Sequence, residues 1–171
     1  MDMTNLEFIK KQVGPMNSEH RPVGKETDAH GAELTIWFCD VIAQTPALAP
    51  FLRNYAELID QKYASRFITW GMEANRLHVV YALNAQEQFV GGIAFEYKTV
   101  SKEGWLTLSF TEKEFRGRRV NQILHQYFEE IVRNLGGTHI GSLVHKDNAS
   151  RLKSAQRVNF VPEYYRMAKV L

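Results

Sequence analysis

The sequence predicts an α+β domain built on a mixed sheet, and three observations predict it. Residues 32–65 carry apolar side chains at helical period. Residues 77–111 hold β-rich runs joined by short polar turns. Beyond that, the chain alternates helix, strand, helix and strand. With 171 residues, 44% hydrophobic and 23% charged, it is long enough for one cored domain and short for two. A single domain over residues 1–171 is expected.

Leu6 to Val13 reads as a first strand, with Leu6, Phe8 and Val13 apolar among charges. Gly14 to Gly31 is polar and reads as a loop, long enough to be a lid or to hide an element. Ala32 to Gln44 reads as a helix with Leu34, Trp37, Phe38, Val41 and Ile42 on one face. Thr45-Pro46 supplies an N-cap and a first-turn proline for a second helix to about Ser65, with Pro50 obscuring its start. Phe67 to Arg76 is a connector. Leu77–Leu83, Phe89–Val100 and Trp105–Thr111 are strands, and the turns at Asn84–Gln88 and Ser101–Gly104 make them an antiparallel meander. Leu106, Leu108 and Phe110 fall on one side of the third strand, and Trp105, Thr107, Ser109 and Thr111 on the other.

The stretch from Phe110 to Leu135 organises the chain. Ile123, Leu124, Tyr127, Phe128, Ile131, Val132 and Leu135 form one apolar stripe at helical period. Gln122, His125, Gln126, Glu129, Glu130 and Arg133 fill the opposite face, and Gly136-Gly137 stops the helix. A strand at His139–His145, a short helix at Ala149–Val158 and an extended segment or strand pair at Phe160–Leu171 complete the chain. Ahead of the long helix lies the turn Arg116-Gly117-Arg118-Arg119. The first N–H groups of a helix have no internal partner and sit at the positive end of its dipole, so a basic turn there suits a phosphate. The same residues also read as a solvated surface turn.

Several function classes are excluded or disfavoured. A net charge of +2 is too mild to imply nucleic-acid binding, so any basic site is local. Cys39 is the single cysteine; it forms no internal disulfide and reads as a buried, inert thiol. No apolar run reaches the length of a membrane span, and the N-terminus lacks a signal-peptide core, so a cytoplasmic protein without membrane partners is expected. No metal site is expected: the histidines (His20, His30, His78, His125, His139 and His145) lack zinc-ligand spacing. No Gly-x-Ser-x-Gly elbow or P-loop is present.

The run FRGRRVNQIL resembles the acyl-CoA-binding loop of the GNAT superfamily of acyl-CoA N-acyltransferases, which has the pattern Arg/Gln-x-x-Gly-x-Gly/Ala between a strand and a helix. NASRLKSAQRVNF, from Asn148 to Phe160, resembles the family's next segment, an Asn after a strand, a short helix and Gly-Phe. The resemblance is close over residues 77–171 and loose over residues 1–76. It implies a central, mostly antiparallel twisted sheet of six or seven strands flanked by about four helices. The acyl-CoA side would be residues 77–171 and the amine-acceptor side residues 1–76. By resemblance, the cofactor-binding residues are Ser109, Phe110 and Thr111 on the strand, Arg116, Gly117, Arg118, Arg119, Val120 and Asn121 in the loop, and Asn148 beyond. The cosubstrate would be acetyl-CoA or another acyl-CoA.

The sequence departs from the family pattern at informative positions. Arg119 and Asn121 stand where the loop's small residues are expected, and Asn159 replaces the glycine of Gly-Phe. Asn121, a good N-cap residue, suits its place. Ala155 occupies the position of the usual tyrosine acid, and Trp105 that of a glutamate base found in some members. Catalytic residues are therefore unassigned, with Glu96, Glu103, Ser154 and Tyr164 as nearby proton carriers. The resemblance implies an acyl-CoA-dependent N-acetyltransferase acting on an unidentified amine. The alternative is a GNAT-fold protein without turnover that binds CoA or a partner as sensor or scaffold. A third reading, nucleic-acid binding through Arg116, Arg118 and Arg119, lacks a wider basic stripe. Trp37, Phe38, Trp70 and Tyr81 line an acceptor pocket or the core. Tyr164–Leu171 either pairs across a homodimer or finishes its own sheet.

Overall fold

The computed structural model describes residues 20–41, 48–60 and 77–162. The expectations for Leu6–Val13, Thr45-Pro46, Phe67–Arg76 and Tyr164–Leu171 lie outside them. Among the described residues, a sheet of six strands runs in the order β1 (Arg21–Thr27), β2 (Glu33–Cys39), β3 (His78–Asn84), β4 (Phe89–Lys98), β5 (Glu103–Thr111) and β6 (His139–Ser142). Neighbours are antiparallel from β1 to β5, and β6 joins β5 in parallel. The α+β class and the meander are as expected. Among the described residues the helices are α1 (Leu48–Asp60), α2 (Val120–Asn134) and α3 (Ala149–Arg157), fewer than the expected four or so.

The N-terminal half departs most from the sequence reading. Arg21–Thr27 is a strand, not loop: only Val23 is buried along it, so hydrophobicity does not mark it, and pairing to β2 creates it. Pro22 is tolerated because β1 ends the order of described strands, where a missing N–H costs no inner ladder bond. Glu33–Cys39 is a strand, not part of a helix. Leu34, Ile36 and Phe38 pack towards α2, whereas Trp37 and Cys39 belong to the opposite face. Because the second face is covered at Trp37 and Cys39, the end of the strand is apolar on both sides, and period 2 passes for period 3.6; the β-branched and aromatic content is the better guide. Cys39 is buried, and burial pushes its thiol pKa up, which fits an inert thiol. In α1, Pro50 lies in the first turn, where its absent N–H has no intrahelical acceptor to lose.

Two apolar clusters sit on opposite faces of the sheet. One packs Phe38, Val80, Ile93, Phe95 and Leu106 under the α2 stripe; the other packs Val79, Tyr81, Ala94 and Leu108 under Phe51 of α1. Leu106 and Leu108 thus face opposite ways, contrary to the alternation expected from sequence. The register places Ala94 opposite Leu108 and Phe95 opposite Leu106, so Thr107 is the extra residue of a β-bulge. Helix α2 is also wider in its burial than its stripe suggests. His125 and Glu130, expected on the polar face, are buried, His125 against the rings of Phe128 and Phe160 and Glu130 beside Arg133. Strand β6 stops at Ser142 rather than running to His145, and residues 160–162 form no strand.

Candidate functional site

The bulge at Thr107 opens the site. Strand β5 pairs with β6 only from Glu103 to Leu106, and Ser142 Oγ donates to the Leu106 carbonyl at 3.2 Å near the last pairing. Beyond it the strands part, leaving a cleft of about 730 Å³ between the second half of β5, the α2 N-terminus, residues 142–148 and α3. The N–H of Glu112 pairs back to Val90 of β4. By strand alternation, the main-chain groups of Ser109 and Thr111 then face the open edge. The Thr111 carbonyl there accepts Arg116 Nε at 3.1 Å. Phe110 also lines the cleft, with its ring 5.2 Å from that of Phe51 of α1.

The loop that ends the cleft is a 3₁₀ turn at Lys113–Phe115 followed by Gly117 at φ 81° and Arg119 at φ 64°. Two left-handed residues so close reverse the chain sharply into α2. Ile123 N–H makes a helical bond to the Arg119 carbonyl at 3.1 Å. The preceding N–H groups, of Val120, Asn121 and Gln122, have no helical acceptor and lie at the positive end of the helix dipole. The cap position is Arg119, not Asn121. Asn121 lies inside the first turn, and its Oδ1 accepts the Ser109 hydroxyl at 2.7 Å. Arg116 and Arg119 line the cleft. Arg118 does not: its guanidinium reaches Asp28 at 3.8 Å and covers the Phe115 ring. Asn148 caps α3, accepting Arg151 N–H at 3.0 Å, and also lines the cleft.

The sequence profile of the acetyltransferase (GNAT) family matches residues 45–160. The chain belongs to the GNAT family. Its fold is shared with a ribosomal-protein-alanine N-acetyltransferase from Brucella melitensis biovar Abortus 2308. The TM-score is 0.59 at 11% identity, over 81% of this chain and 99% of that one. An aminoglycoside acetyltransferase from an uncultured soil metagenomic sample gives 0.59 at 13% identity, over 81% and 98%. A structure described as a probable acetyltransferase gives 0.58 at 16% identity, over 80% and 95%. Among curated proteins, none matches.

The two positions at which the resemblance places proton carriers hold Ala155 and Trp105. Ala155 is buried and titrates nothing. Trp105 carries the Lys98 ammonium 3.9 Å above its ring, and Glu103 is held by Lys98 at 3.6 Å. Of the carriers expected from sequence, Ser154 is the one among the described residues that lines the cleft; Glu96 and Glu103 do not. The fold adds residues that sequence reasoning did not place there, namely Asn54 and Glu57 of α1, His145 after β6, and Arg151 and Arg157 of α3. None has a spacing signal; His145 and Arg151 reach the cleft only because β6 returns parallel to β5. Arg151 Nη2 is buried and has no hydrogen-bond partner among the described residues. Nearby His125 is held neutral, its pKa pushed down to about 3 by burial first and by Arg151 second. Among the described residues, no group of His, Cys, Asp or Glu is arranged to hold a metal, and no helix is long and apolar enough to cross a membrane.

Proposed function

We propose that this GNAT protein is an N-acyltransferase that moves an acetyl or other acyl group directly from acyl-CoA to an amine. The observation that carries the reading is the joining of two features in one cleft. The open main-chain edge of Ser109–Thr111 runs towards the uncapped N–H groups of Val120, Asn121 and Gln122, flanked by Arg116 and Arg119. An extended amide-bearing arm suits the open strand edge, and a pyrophosphate suits the helix N-terminus beyond it. Arg151 and Arg157 add positive charge on the far wall.

In this reading the neutral amine attacks the thioester carbonyl. A C–N bond forms, the C–S bond breaks, and the amine proton ends on the released CoA thiol. Main-chain N–H at the open edge of β5 stabilises the oxyanion. A thiol of pKa about 8.5 leaves readily as thiolate, so a dedicated acid is helpful rather than essential, and holding the two reactants in register supplies much of the rate. His145 and Ser154 both line the cleft, which supports them as the side chains that pass the proton. The acceptor half is residues 1–76, and the donor half is residues 77–171.

The test is calorimetric titration with acetyl-CoA, alongside an Arg116→Ala, Arg119→Ala variant, followed by thiol release over a panel of amines. Micromolar binding weakened by the variant, with release that depends on one amine class, supports the reading. No binding at millimolar acetyl-CoA removes it. Ala155 and Trp105, which replace the family's proton carriers, favour one rival: a protein that binds CoA without turnover. Binding with no release across the panel would select that rival.

A further inference from the structure

The loop before α2 is braced by a turn distant from it in sequence. Ala29 N–H donates to the Arg118 carbonyl at 3.0 Å, immediately before Arg119 takes its left-handed φ of 64°. Ala29 belongs to the turn between β1 and β2, and Asp28 builds that turn. Asp28 Oδ1 accepts the N–H of His30 at 2.8 Å and of Ala32 at 2.9 Å, while its own N–H donates to the Ala32 carbonyl at 2.9 Å. The Asp28 carboxylate is fully buried, and its Oδ2 lies 3.8 Å from Arg118 Nη1. The brace therefore grips Arg118 twice, at its carbonyl and at its guanidinium. A residue with a Cβ resists the left-handed region that glycine enters freely, so Arg119 needs its neighbours held.

We infer that Asp28 is a positioning residue for the acyl-donor loop. Through Ala29 and Arg118 it holds the turn at Arg119, so that the N–H groups of Val120, Asn121 and Gln122 face the cleft. This rests on the acyl-CoA reading above, and it would explain how the chain keeps a phosphate cradle with arginine where the family has glycine.

A double-mutant cycle tests it, with CoA affinity read by calorimetry and folding checked by circular dichroism. Asp28→Ala should weaken CoA binding about tenfold in the wild-type background. In an Arg119→Gly background it should weaken binding less than about twofold, because glycine takes the left-handed turn without a steric penalty that a brace must offset; the comparison is independent of any charge lost with Arg119 itself. Asp28→Asn, which keeps the turn-building oxygen but loses the charge facing Arg118, serves if Asp28→Ala does not fold; it should show a smaller loss, again confined to the Arg119 background. Tyr127→Phe, which removes a different link between β1 and α2, should leave affinity unchanged. An equal loss in both backgrounds, or no loss in either, overturns the inference while wild-type binding keeps the acyl-CoA reading. Absence of CoA binding by the wild type removes both.

Discussion

The Ser109 hydroxyl donates to Asn121 Oδ1 at 2.7 Å, tying the open edge of β5 to the first turn of α2. The two surfaces assigned to the acyl donor thus share a side-chain hydrogen bond. Deleting either partner should cost about 0.5–1.5 kcal/mol of stability. Ser109→Ala and Asn121→Ala should be non-additive in urea unfolding, with a coupling of similar size. Simple additivity would mean that the bond holds nothing in place.

Arg116 and Arg119 are exposed at the cleft, so removing them should leave stability within about 0.5 kcal/mol. The expected effect falls on the ligand instead. CoA affinity should drop by about tenfold or more and lose part of its salt dependence, measured by titration at two ionic strengths. Equal affinity in the variant would place the phosphates elsewhere.

His125 should make the fold acid-sensitive. Its pKa is pushed down to about 3, against 6.5 for a free imidazole. Between those values the unfolded chain binds a proton that the folded chain refuses, so stability is complete above pH 6.5 and falls as the pH drops towards 3. The slope is at most about 1.4 kcal/mol per pH unit. His125→Phe should flatten this limb in unfolding curves taken from pH 7 to pH 4. An unchanged limb would mean that the imidazole finds a way to charge in the folded state.

Gly24 permits a contact that no other residue allows. A Cβ there would lie 2.0 Å from the Tyr127 hydroxyl, which donates to Glu26 at 2.8 Å. Gly24→Ala should therefore cost about 1–3 kcal/mol by overpacking. Tyr127→Phe, which loses only the bond to a carboxylate, should cost about 1.5–3 kcal/mol on its own. Chemical denaturation of both variants and of the pair should show that Tyr127→Phe relieves part of the Gly24→Ala cost, since it removes the clashing oxygen.

Much of the C-terminal half is legible in the sequence. The α2 stripe, its stop at Gly136-Gly137, the meander and the loop from Arg116 to Asn121 all rest on local signals. Amphipathic period, turn residues and glycine stops act over a few residues, so a linear reading captures them. The N-terminal half is not legible by the same route. β2 alternates from Glu33 to Ile36 but then runs Trp37-Phe38-Cys39, apolar on both faces, and β1 buries only Val23, so the alternation is too short to mark either strand and pairing between them outweighs local preference.

Short-range chemistry along the chain is enough to set the fold class, the meander, the long helix and the position of the basic turn at its start. The site depends on tertiary structure. The bulge at Thr107 carries no residue signature, yet it turns Leu108 to the other face and frees the edge of β5. The parallel return of β6 brings His145, Asn148 and Arg151 to that edge. Asp28, distant in sequence, takes Arg118 out of the cleft and leaves Arg116 and Arg119 there. These outcomes depend on which strands meet and in what register, a property of the assembled sheet rather than of any one segment.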